Sequence, residues 1–134
     1  MVSQENVEIV RSAFAAFNRG DLDAAVADAA PDIEYVASGA IPGATGVYRG
    51  PEEFKRFAGW LREEFDDARI EVHDLVEAHD QVLVSVTNRG RGKRSGAETS
   101  WRLWTLWVLL DGKIVRGQGF TSRDEALEAA GLQE

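Results

Sequence analysis

The sequence predicts an α+β fold in which helices pack against a strongly curved, mainly antiparallel sheet. Three observations carry this reading. Apolar residues in the first half recur at three- and four-residue spacing, as helices require. After Asp67 the period changes to two, as strands require. Residues 101–110, WRLWTLWVLL, are apolar in both side-chain registers. A strand alternates its side chains between two faces, so this one expects cover on both. Helices can cover one face, and the expectation for the other is a second subunit.

The elements follow in order. Val7, Val10, Phe14 and Phe17 form one apolar stripe, with Ser3 as a cap, Glu5 at the positive end and Gly20 as a stop. Asp21 caps a second short helix through about Ala29, ended by Pro31. Residues 33–36 read as a short strand. Residues 37–50 hold four glycines and a proline and read as a loop or irregular arm. Gly50-Pro51-Glu52-Glu53 then opens a third helix, whose buried stripe is Phe54, Phe57, Leu61 and Phe65.

In the following strand Ile70, Val72, Asp74 and Val76 alternate with Glu71, His73, Leu75 and Glu77. A turn near His79-Asp80 leads to Val82, Val84 and Val86, and a glycine-rich loop over 90–96 returns the chain into the tryptophan strand. Asp111-Gly112 is a two-residue hairpin signal leading into residues 113–120. Ser122-Arg123-Asp124-Glu125 is a capping box for a short last helix that runs to about Ala130 before Gly131. The order is three helices with one strand inserted, a four-strand antiparallel meander and a terminal helix. No linker or internal repeat interrupts it, so residues 1–134 read as one domain.

Composition narrows the function classes. The 134 residues suffice to bury a core, and 44% apolar with 28% charged residues is globular. A net charge of −8 argues against nucleic-acid binding, which needs a basic surface. Cysteine is absent, which removes disulfides and cysteinyl metal sites. The N-terminal MVSQENVEIV lacks the basic-then-apolar pattern of a signal peptide, and no segment has the length to span a bilayer. A soluble cytoplasmic protein with no membrane partner is the expectation.

The stretches ENVEIVRSAFAAFNRGDLDAAVADAAPDIEYV, GVYRGPEEFKRF, DGKIVRG and SRDEALEAAGL together resemble the SnoaL-like branch of the nuclear transport factor 2-like superfamily. The resemblance runs over nearly the whole chain. It implies a cone-shaped α+β barrel, usually dimeric through the outer sheet face, with an apolar pocket inside the cone. It is weaker on function, because the fold hosts isomerases, dehydratases, cyclases, epoxide hydrolases and non-catalytic proteins. The positions that carry ketosteroid isomerase chemistry in that superfamily correspond here to Ala13, Tyr35 and Trp104, so all three roles are missing. Many SnoaL-like relatives carry a histidine where this chain has Thr105, whose hydroxyl is no general base without help.

Candidate site residues each have a second reading. His73 sits among charged parity partners, which suits solvent; turned into the cone, it would be the histidine placed to move a proton. Tyr35 either donates its hydroxyl to a ligand oxygen at the cone's mouth or keeps it in water. Arg116 and Gln118 share parity with Ile114 and Phe120, and either orient a ligand or form a surface pair with a carboxylate. Trp101 and Trp107 share one face of their strand while Trp104 takes the other, and packing competes with ligand stacking for all of them. Trp60 lies one residue off the helix-three stripe. The wall of the pocket is expected to include Phe14, Phe17, Phe57, Trp60, Trp101, Thr105, Arg116 and Gln118, with Tyr35 and His73 as the catalytic candidates. The basic loop Arg89-Gly90-Arg91-Gly92-Lys93-Arg94 joins two strands and lacks a dinucleotide fingerprint, so it reads as solvated. No metal-ligand spacing appears, and no cofactor is expected. The resulting expectation is a small hydrophobic or aromatic ligand in a pocket protein, either a cofactor-independent isomerase, dehydratase or cyclase or a non-catalytic homodimeric binding module.

Overall fold

The computed structural model describes residues 2–39 and 43–132. Its elements are α1 (Val2–Asn18), α2 (Leu22–Ala25), β1 (Ala29–Ser38), β2 (Thr45–Arg49), α3 (Gly50–Glu64), β3 (Phe65–Ala78), β4 (Gln81–Gly92), β5 (Glu98–Leu110), β6 (Lys113–Phe120) and α4 (Arg123–Ala130). Among the described residues one six-stranded sheet, in the order β2-β1-β6-β5-β4-β3, holds every strand. Neighbours run antiparallel except β1 and β6, which run parallel. The sheet curves around α1 and α3 without closing, so β2 and β3 are its free edges. This is the α+β architecture that the periodicities predict.

Local boundaries depart from the sequence reading in several places, among them β4, whose pairing with β3 and β5 carries it through Gly92 into the loop expected over 90–96. Helix α1 begins at Val2, ahead of the Ser3 cap position, and the Ser3 side chain lies outside the described residues. Helix α2 stops at Ala25 because β1 starts at Ala29, pairing with Ile114. The glycine-rich arm contains strand β2, which pairs with β1 from Glu34↔Arg49 to Ser38↔Thr45. Strand β2 is an edge strand ordered by β1 alone, and it carries little hydrophobic periodicity of its own. Residues 40–42 of that arm lie outside the described residues. Phe65, placed by the helical stripe in α3, is the first residue of β3.

Two irregularities decide which side chains face inward. Val72 pairs with Val86 and Asp74 with Ser85, which leaves His73 as the extra residue of a β-bulge. Ile70, Val72 and Leu75 therefore pack on the inner core, and His73 does not follow the alternation that groups it with Leu75. On β6, Ile114 pairs with Leu109 but Arg116 pairs with Val108, so Val115 is a second inserted residue. Ile114 faces in, whereas Arg116, Gln118 and Phe120 face out beside Val108, Leu106 and Trp104.

The β5–β6 hairpin has the type I′ form that Asp-Gly favours, with φ of 51° at Asp111 and 76° at Gly112. Helix α4 is capped by Ser122, whose Oγ accepts from Glu125 N at 3.3 Å, and ends at left-handed Gly131. It lies on the outer sheet face, where Ala126, Leu127 and Ala130 cover Leu83, Leu106 and Phe120. The chain's own last helix therefore supplies part of the outer cover for the tryptophan strand. Among the described residues no helix is long and apolar enough to cross a membrane.

Candidate functional site

Between the helices and the inner sheet face lies a cavity of about 90 Å³. Helix α1 contributes Val10, Ala13, Phe14 and Phe17; helix α3 contributes Phe54, Phe57, Ala58 and Leu61. The sheet supplies Tyr35, Ile70, Val86, Asn88, Leu103, Thr105, Trp107 and Ile114. Helical spacing explains the first two sets, and the inner parity of β4 and β5 explains most of the third.

Two contacts hold the helices over this space. Arg62 Nη1 donates to the Phe17 carbonyl at 2.8 Å, adding to the bond that this oxygen accepts from Gly20 N, and the guanidinium lies 5.5 Å from the Phe17 ring centroid. Asn18 bonds both backbone groups of Ile70, accepting at 2.7 Å and donating at 2.9 Å. Together they pin the end of α1 to α3 and to β3.

One end of the cavity is aromatic. The Tyr35 ring lies 5.1 Å from Phe57, 5.4 Å from Phe54 and 5.7 Å from Trp107. Gly117 permits that stack: a Cβ there would lie under 3.0 Å from both the Trp107 and Tyr35 rings. Trp107 Nε1 donates to Thr105 Oγ1 at 2.9 Å, leaving the threonine proton available to another acceptor. Burial pushes the Tyr35 hydroxyl well above its ordinary pKa of 10.0, and the nearby Tyr48 adds to the shift. Near neutral pH Tyr35 is therefore a hydrogen-bond donor, unable to act as a base.

The opposite end carries Asn88. It continues the inner row Val82, Val84 and Val86 of β4, is 9% exposed, and its Oδ1 has no hydrogen-bond partner among the described residues. Thr105 pairs with Val84, four residues along the strand from Asn88, so the two polar ends stand about 13 Å apart in backbone register. Val86 and Leu103 pair across the apolar stretch between them.

The structure brings Phe14, Phe17, Tyr35, Phe57 and Thr105 together on the cavity wall and places the other sequence candidates elsewhere. His73 is exposed on the outer face, as its charged parity partners suggest, with its Nε2 2.7 Å from Thr87 Oγ1; the bulge changes the face of Leu75 instead. Arg116 is also outside, with Nη1 3.4 Å from Glu34 Oε1 and Nη2 donating to Gln118 Oε1 at 3.3 Å; the inserted Val115 reverses their parity. Trp60 is half-buried beside Phe57, with centroids 6.2 Å apart, and borders Gly43. Trp101 faces inward but packs edge-on against Phe65 at 5.1 Å, beside a separate void of about 10 Å³ beyond Asn88. Trp104 points outward, with the Arg102 guanidinium 5.5 Å from its ring.

Asn88 is the functional candidate that sequence reading missed. Its signal was its parity with the three valines, extended one step past the last apolar residue.

This arrangement invites comparison with known folds. A model of the SnoaL-like domain matches residues 10–117. The chain belongs to the SnoaL-like domain family. A nuclear transport factor 2-like protein from Burkholderia thailandensis is 32% identical, with 96% of this chain and 97% of that chain covered and a TM-score of 0.79. TerC, co-crystallised with polyporic acid, is 22% identical, with coverage of 92% and 96% and a TM-score of 0.78. A protein provisionally named a SnoaL-like polyketide cyclase, from Jannaschia sp. CCS1, is 21% identical, with coverage of 88% and 85% and a TM-score of 0.77. The last two likenesses establish the shared fold. Comparison with curated proteins returned no match. Within the SnoaL-like fold this member lines its cone almost entirely with hydrocarbon: its described cavity wall includes no Asp, Glu, His, Lys or Arg.

Proposed function

We propose that this SnoaL-like protein binds a compact, uncharged, largely apolar or aromatic metabolite in the cavity between its helices and sheet. The observation that carries the proposal is the wall itself, an apolar enclosure with a few placed polar groups, which is the usual composition of small-molecule sites. An ion entering such a space would lose its hydration without gaining a countercharge, so neutral ligands are favoured. TerC, a protein of similar fold, was crystallised with polyporic acid, which gives small-molecule occupancy of this fold a precedent.

Binding is favoured over proton-transfer catalysis. An isomerase, dehydratase or cyclase mechanism needs a group that takes up a proton near neutral pH. The one titratable side chain on the described wall is Tyr35, which burial holds protonated. It can polarise a ligand oxygen by donating a hydrogen bond, and so can Thr105. The proposal includes a homodimer through the outer sheet face, supported by the partly exposed Trp104 and Val108 on that face and by Val76 at 48% exposure.

The test is native mass spectrometry of the purified protein after incubation with a host metabolite extract. The wild type is expected to retain a neutral small molecule. The cavity-filling variant Ala13→Phe is expected to lose it while keeping its folded charge-state distribution. Identical adduct spectra for the two proteins would refute binding in this cavity.

A further inference from the structure

We propose that Asn88 is the specificity-determining residue of the cavity, selecting an uncharged ring ligand that carries a hydroxyl or N–H group. The inference rests on the ligand-binding reading above and deepens it. Asn88 is the one carboxamide on the described cavity wall, placed where the inner row of β4 has otherwise run through Val82, Val84 and Val86. A packing position would be served by another aliphatic side chain, which incurs no cost for leaving water. The amide instead sits with its Oδ1 buried and unpaired among the described residues, whereas native structures pair the large majority of such atoms.

Asn88 also stands at a junction. With Phe17, Leu61 and Ile70 it borders both the main cavity and the smaller void toward Trp101. Those three neighbours offer it carbon alone. A ligand O–H or N–H donating to Oδ1 would restore the missing bond in surroundings of low dielectric, where such bonds are strong. Rotation of the amide presents its NH₂ group at the same point, so a hydroxyl, both donor and acceptor, is accommodated in either orientation. A hydrocarbon would leave Oδ1 stranded, and a carboxylate would meet no cation on the wall. The cavity of about 90 Å³ is smaller than the dry space of about 150 Å³ known to take benzene, so nothing larger than one ring fits at this end, and a single ring enters only as the lining side chains shift outward.

Phenol and toluene differ by a hydroxyl in place of a methyl, so titration of both into the full chain, followed by amide NMR shifts, isolates this contact. The wild type is expected to bind phenol about tenfold more tightly than toluene. In Asn88→Leu, close in volume but apolar, the order reverses. Asn88→Ala, which keeps the room and removes the acceptor, loses the preference. If the wild type binds the two equally or prefers toluene, Asn88 is not the selector, although the cavity still binds. If neither probe shifts the amides of Val86 and Leu103, both the selector and the pocket reading fall. The wild-type pair decides the matter even if a variant fails to fold.

Discussion

Tyr35 shows how a single residue can be prepared for one chemical task and excluded from another. Three aromatic rings and the lost hydration raise its pKa above 10.0, so the folded state holds the phenolic proton more tightly than the unfolded chain does. The sign follows from linkage. Stability from this group is complete below the ordinary tyrosine value and drains away above it, as the unfolded phenol ionises first. Thermal unfolding of wild type and Tyr35→Phe between about pH 9 and pH 11 should show the wild type losing more of its melting temperature. Parallel loss in the two proteins would show that the Tyr35 hydroxyl is not held protonated by burial. At the same scale, Asn88 was hidden in the sequence because an Asn after a valine row reads as the end of a strand. Its burial depends on α1 and α3 coming down over it.

At the scale of elements, strand β6 passes close to β5 and β1 because it carries glycine where they carry rings. Gly117 pairs with Trp107 on one side and Tyr35 on the other. Alanine in a strand interior ordinarily replaces glycine without loss or with gain. Here the added methyl meets Trp107 and Tyr35, so Gly117→Ala should lower unfolding free energy by about 1–3 kcal/mol in a denaturant titration. A neutral or stabilising result would mean that the aromatic end of the cavity is loosely packed. The hairpin at Asp111-Gly112 and the capped α4 were both legible in the sequence, since turn and cap chemistry is local. The bulges at His73 and Val115 were not, although the spacing of Ile70, Val72 and Leu75 contains the first. An alternation that skips one residue looks like noise until the partner strand supplies the register. The insertion at Val115 put Arg116 and Gln118 on the outer face, and the bulge at His73 brought Leu75 inward while leaving His73 on the charged, outer side.

The whole molecule is an open, curved sheet that is half-covered outside. Helix α4 shields Leu83, Leu106 and Phe120, while Trp104, Val108 and Val76 remain partly or largely exposed beside it. The proposed homodimer would cover that remainder. Sedimentation should therefore give twice the chain mass of 14.7 kDa, and Trp104→Lys should shift the protein toward monomer while leaving cavity binding in place. A wild-type protein that sediments as a monomer at high concentration would remove the dimer from the proposal. Such a result would leave the cavity reading untouched, because every described lining residue belongs to one chain.

By itself the sequence determined the element types, most of their order, the α+β class and the family. Each of these follows from periodicity, caps and turns acting over a few neighbouring residues. It also determined that the tryptophan strand needs cover on both faces. The tertiary structure alone decided that α4 supplies part of the outer cover and which polar groups meet the cavity. Side-chain direction in a strand reverses with every inserted residue, and an insertion is defined by the strand across the sheet rather than by the chain on either side of it.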